Sequence, residues 1–193
     1  MEIHIGSDHA GFELKEALVD RLEKDGYEVV DYGAYEYDED DDYVDYVAPV
    51  ARAVSEAAYD TQRDPAHRSV GIVIGGSGQG EAIVANRWPG VRAAVFNGQY
   101  EPLDGREVPD EIALSRQHND ANVLSLGARF LAVDEAVDAV ERWIETPFSG
   151  EERHMRRLEK IAALDYAIRG IGANEHEGHS HDDDDLIDHG DLR

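Results

Sequence analysis

The sequence predicts an α/β protein: one doubly wound, three-layer, five-stranded parallel sheet covered by helices on both faces. Three observations carry that expectation. Short apolar, β-branched runs alternate with stretches of helical spacing along residues 1–169. One run passes directly into a glycine turn and then a helix start (SVGIVIGGSGQGEAIVAN, residues 69–86). The pair Asp8-His9 and that glycine turn both follow predicted strands, where parallel α/β sheets place their ligands.

Each element follows in order. Residues 3–6 read as a short buried strand, and residues 11–24 carry apolar positions at helical spacing (Phe12, Leu14, Leu18, Leu22) with Gly26 as terminator. Residues 27–32 (YEVVDY) form a second strand, and an acidic loop (YEYDEDDDYVD) follows. Residues 43–59 have a helical pattern, and residues 60–68 are a polar loop. The third strand, the glycine turn and a helix to about residue 87 come next, then a fourth strand at 91–96. Residues 97–109 have turn chemistry and no period, residues 110–117 look helical, and 123–126 make a fifth strand. Helices at 133–145 and 150–168, interrupted at Thr146-Pro147, close the predicted domain at 1–169. Residues 170–193 are rich in Asp, His and Gly and read as a disordered tail. Its histidines (His176, His179, His181, His189) leave a metal-binding tail as a rival reading.

Composition narrows the function. The 193 residues carry a formal net charge of -25, so nucleic acid and anionic membranes are poor partners. Chain-wide acidity also repels an anionic substrate, over about 8 Å at physiological salt, unless local cations prevail. There is no cysteine, which removes disulfides, thiolate metal sites and thiol nucleophiles. No secretory pattern or bilayer-length apolar run is present, and a cytoplasmic protein is the default.

The glycine turn (Gly75, Gly76, Ser77, Gly78, Gln79, Gly80) lets backbone amides approach a ligand, and the helix start adds unpaired donors. It is neither a Walker loop nor a dinucleotide fingerprint. Glu81 at its end would repel a bound anion, but it makes sense as a proton acceptor beside amides that hold developing negative charge. That role requires burial to raise its pKa against the helix N-terminus; an exposed first-turn acid is the alternative. Asp8 suits both a sugar hydroxyl and a helix N-cap, and His9 suits a hydroxyl or phosphate. In SRQHNDAN, His118 is the residue suited to moving a proton near neutral pH, and Asn119 to holding a hydroxyl or an enediolate oxygen. Arg129 closes LSLGAR. Arg153 and Arg157 share one helical face and suit a phosphate; Arg156 points elsewhere, toward ion pairing with Glu151, Glu152 or Glu159.

SDHAG, GGSGQGE, RQHNDAN, GAR and TPFSGEERHMRR, in that order over residues 1–164, resemble the ribose-5-phosphate isomerase B family, which includes galactose-6-phosphate isomerase subunits. The acidic loop at 35–43 resembles that of actinobacterial-type members. The resemblance implies a Rossmann-like aldose–ketose isomerase without metal or nucleotide cofactor. It also implies a homodimer, or a tetramer, with active sites shared between subunits and the C-terminal helix reaching toward the partner. Some members use a cysteine just before the glycine loop as base, where this chain has no thiol; others use the glutamate that corresponds to Glu81. By motif match, Glu81 is the proton acceptor and His118 the ring-opening acid. Asp8, His9, Gly76, Ser77, Gly78, Gln79, Gly80, Asn119, Arg129, Arg153 and Arg157 bind substrate. Gln79 replaces the commoner Asn, and the segments at 60–68 and 97–109 exceed the family minimum. The expected reaction interconverts ribose 5-phosphate and ribulose 5-phosphate through a cis-enediolate. Isomerisation of a four-carbon sugar phosphate, allose 6-phosphate or galactose 6-phosphate, and sugar-phosphate binding without catalysis, are the alternatives.

Overall fold

A computed structural model describes residues 1–60, 69–100 and 104–169. The expected tail at 170–193, residues 61–68 of the polar loop and residues 101–103 lie outside the described residues. The elements run β1 (Glu2–Ser7), a single 3-10 turn (His9–Gly11), α1 (Phe12–Lys24), β2 (Glu28–Asp31), α2 (Tyr43–Tyr59), β3 (Ser69–Gly75) and α3 (Gln79–Ala85). They continue with β4 (Ala93–Phe96), α4 (Glu111–Asn119), β5 (Val123–Gly127), α5 (Val133–Glu145) and α6 (Glu152–Arg169). All strand pairs are parallel, in the order β2-β1-β3-β5-β4. The chain winds one way from β1 to β2 and the other way from β3 onward, so the switch point lies between β1 and β3.

The two sheet faces differ because residues alternate along each strand. Ile3, Ile5, Ile72, Ile74, Leu124 and Leu126 enter one core with Leu18, Leu22, Ile112, Val140 and Trp143 from α1, α4 and α5. The other face carries small residues, with Val73 and Val123 packing on Val47, Val50, Ala51 and Val54 of α2 and Ala85 of α3. Close approach of α2 depends on Gly6: a Cβ there would lie 2.8 Å from the Tyr46 carbonyl oxygen.

Several element ends differ from the sequence reading, each for a local reason. The first helical turn is the 3-10 turn, held by the Asp8 carboxylate on the amides of Ala10 (3.0 Å) and Gly11 (3.2 Å). Helix α3 stops at Ala85 rather than near residue 87. The Asn86 side chain instead pairs with both backbone groups of Ala93, accepting at 2.8 Å and donating at 3.1 Å. Pairing of β4 begins at Ala93, because the Arg92 amide donates to Asn122 Oδ1 at 2.7 Å. Helix α4 extends through His118 and Asn119, so these belong to its last turn rather than to a loop. It ends where Asp120 turns left-handed (φ 42°), held by Arg92 and Arg116. The ion pair expected of Arg156 is made by Arg153, whose Nε lies 2.8 Å from Glu151 Oε2.

Candidate active site

At the switch point a cleft of about 300 Å³ opens at the carboxyl ends of the strands. The turn after β1 supplies Asp8, His9 and Ala10, and the loop after β3 supplies Gly76, Ser77, Gly80 and Glu81. Arg129 and Phe130 follow β5, and Tyr43 opens α2.

The glycine loop makes room for side chains as well as for a ligand. Gly78 adopts φ 72°, a left-handed turn that folds β3 back into α3. At Gly75 a Cβ would sit 1.8 Å from Glu81 Oε1, so the missing side chain is the space the carboxylate occupies. Cβ atoms at Gly76 and Gly80 would likewise meet the Arg129 guanidinium (3.0 Å) and the Tyr43 ring (2.8 Å). Asn97 Nδ2 donates to the Ser77 carbonyl at 3.0 Å and Ser125 Oγ to the Gly78 carbonyl at 2.6 Å. Extension of β5 ties the loop further, with the amides of Ala128 and Arg129 on the carbonyls of Gly75 (2.9 Å) and Gly76 (3.2 Å).

Glu81 is only 4% exposed, and its Oε2 has no hydrogen-bond partner among the described residues. Burial pushes its pKa above the ordinary carboxylate value, and the Asp8 charge pushes the same way against its own backbone amide. The exposed-acid alternative is thus replaced by a buried carboxylate with one oxygen unpartnered among the described residues. Asp8 is buried too and raised by that burial, with the Gly11 and Ala10 amides and His9 drawing it down. His9 is raised, first by its hydrogen bond to Asp41 and then by the Asp8 and Asp41 charges, against burial and Arg129. The cleft therefore brings together a buried carboxylate, a histidine, an arginine and a glycine loop, a set suited to deprotonating carbon next to a carbonyl. Asp8, His9 and Asp41 also offer ligand atoms all within 4.8 Å of one another. His9 Nδ1 and Asp41 Oδ1 already share a hydrogen bond of 2.6 Å.

The expected residues fall into two groups. Asp8, His9, Gly76, Ser77, Gly80, Glu81 and Arg129 line the cleft, Gly78 turns the loop beneath it, and Gln79 is exposed outside it. His118, Asn119, Arg153 and Arg157 do not line it. Helix α4 runs against the strands, so its last turn lies beside the start of β5, roughly 16 Å of strand from the cleft end. There the His118 ring stacks on His154, with centroids 4.2 Å apart and planes 12° apart. The Ser149 amide donates to the Gln117 carbonyl at 3.1 Å, bringing the start of α6 to this end. His154 is 2% exposed, and its pKa is lowered by burial and then by neighbouring His118 and Arg153. Sequence reasoning missed Tyr43, Phe130, Asn97 and Asp41. Tyr43 and Asp41 stood in the acidic loop and Asn97 opened the turn-rich segment at 97–109, both already singled out, but nothing local separated Asp41 from its acidic neighbours.

The fold and the cleft fit an isomerase that moves a proton at carbon. Residues 3–161 match the ribose/galactose isomerase family model, and the chain belongs to that family. It is similar to ribose-5-phosphate isomerase B of Mycolicibacterium paratuberculosis, 39% identical over 163 residues, 84% of this chain and 90% of the relative. The enzyme of that name from Escherichia coli is 37% identical over 164 residues, 85% of this chain and 96% of the relative. Among solved structures, ribose-5-phosphate isomerase B from Mycoplasma genitalium with bound ribulose 5-phosphate superimposes with TM-score 0.72 at 34% identity. That match covers 85% of this chain and 95% of the other.

Proposed function

We infer that this chain is an aldose–ketose isomerase that interconverts ribose 5-phosphate and ribulose 5-phosphate through a cis-enediolate. The observation that carries the reading is the buried Glu81 carboxylate, one oxygen of which has no partner among the described residues, against a glycine loop at the floor of the cleft. Glu81 removes the proton from C2 of the open aldose and returns it to C1, while the second proton moves between O2 and O1. The loop's amides and Arg129 stabilise the oxyanion, and His9 and Asp8 hold the sugar. The pentose assignment is supported by the ribulose 5-phosphate in the Mycoplasma genitalium structure. The cytoplasm is the compartment that fits; no described helix is long and apolar enough to cross a membrane.

His118, Asn119, Arg153 and Arg157 complete the site from a second copy of the chain. Their position at the far end of the sheet supports this. So does α6, which is exposed over most of its length and leaves Met155, Ile161, Leu164 and Tyr166 facing solvent in a single chain. In the shared site His118 opens the furanose ring, and the two arginines hold the phosphate.

Glu81→Gln should retain ligand binding while turnover and solvent exchange of the C2 proton fall ~10²–10⁴-fold. Near-normal turnover would refute the assignment. Mixing inactive Glu81→Gln and His118→Ala chains should restore about a quarter of wild-type activity by random pairing. No recovery after verified exchange of subunits would place both residues in one chain's site.

A further inference from the structure

We propose that Asp41 is a positioning residue for the isomerase reaction, clamping His9 at both its backbone amide and ring Nδ1 so that Nε2 is the ring atom offered to the substrate. This rests on the isomerase reading of the cleft. The Asp41 Oδ1 oxygen accepts from the His9 amide at 3.1 Å and lies 2.6 Å from His9 Nδ1, a contact spanning 32 residues. Residues 36–40 and Asp42 are exposed, but the Asp41 side chain is turned inward and only 5% exposed. A carboxylate on Nδ1 can only accept, so it fixes both the tautomer and the ring orientation. The Tyr37 ring stands edge-on to the imidazole, with centroids 6.0 Å apart.

An added acid beside an anion site needs a reason. His9 and Arg129 stand on the same cleft, and Arg129 together with burial works to discharge the imidazole. Asp41 and Asp8 oppose that discharge. The groups facing His9 among the described residues are thus Asp8 on its own turn, Asp41 and Tyr37 from the loop before α2, and Arg129 after β5. Glu81 of α3 and Tyr43 of α2 share the cleft. With Asp41 in place, His9 remains a cationic donor to a sugar-phosphate oxygen at pH values where a free imidazole is neutral. The acidic loop therefore acts on substrate affinity rather than on the proton transfer at carbon.

The test is Asp41→Asn in the full chain, which keeps the size and one acceptor but removes the charge. KM for ribose 5-phosphate should rise roughly 10-fold near pH 8 and progressively less toward pH 6, with kcat changed far less than KM. Nitrogen NMR of the wild-type protein should find His9 protonated at Nδ1, with a titration midpoint above the ordinary histidine value that falls in Asp41→Asn. This titration needs no substrate, so it judges the proposal even if ribose 5-phosphate proves not to be turned over. The proposal is overturned by an equal midpoint in both proteins, by a KM change independent of pH, or by a loss confined to kcat. A divalent cation that activates the wild type but not Asp41→Asn would also overturn it, by making Asp8, His9 and Asp41 a cation site.

Discussion

Replacing Gly75 with alanine tests the central geometry without touching a functional side chain. The new Cβ would lie 1.8 Å from Glu81 Oε1 and 2.3 Å from its Cδ. Ordinary contact begins at 3.4 Å, so the carboxylate oxygen must retreat by ~1.6 Å. The crowded atoms are the end of a flexible side chain, so Glu81 moves and the backbone stays. Misplacing a reacting group by ~1 Å costs on the order of 10²-fold in rate. Gly75→Ala should therefore lower kcat for ribose 5-phosphate about 100-fold, while the affinity for a phosphate-bearing inhibitor changes by no more than a few-fold. Overpacking of this kind destabilises by ~1–3 kcal/mol, and melting should shift by ~2–4 °C per kcal/mol. The control is the same change in a Glu81→Gln background, where almost no further activity should be lost. Wild-type kcat in Gly75→Ala, or an undiminished 100-fold effect in the double variant, would show that Glu81 does not act from this position.

Two further outcomes follow from the same geometry. Burial raises the folded-state pKa of Glu81 above its unfolded value, so activity should fall with acid at a pH above the ordinary glutamate range. The sign for stability is the reverse of a salt-bridged acid. The folded state binds this proton more tightly, so stability declines as pH rises from the unfolded to the folded value, and the loss is complete above it. Glu81→Gln should therefore melt higher than wild type at neutral pH, by roughly 0.5–2 kcal/mol, and an unchanged melting temperature would argue that the carboxylate is solvated. Arg92→Ala should destabilise by about 2–3 kcal/mol in thermal melts, because one guanidinium holds the carbonyls of Gly90, Asn119 and Asp120 and the Asp120 carboxylate. The same variant should lower kcat by loosening the turn that carries His118.

The alternation of strands and helices was legible because it depends on neighbours. Side-chain period, N-caps and terminating glycines act within one or two turns of chain, and α2 and α5 match their expected spans. Element ends were less legible where a distant group intervened: Asn86 is drawn from α3 by Ala93, and Arg92 from β4 by Asn122. Asp8 caps the first turn, one of the two roles open to it, and also lines the cleft. The link from Asp41 to His9 was invisible, since one acid among several adjacent acids carries no local mark.

The chain by itself determined the element order, the glycine loop and the residue types able to move a proton, because these follow from local sterics and side-chain chemistry. Tertiary structure decided that Glu81 is desolvated, that Asp41 faces His9, and that His118, Asn119, Arg153 and Arg157 stand at the other end of the sheet from the cleft. Burial and charge environment are set by whatever packs around a group, and here that is supplied by segments tens of residues away.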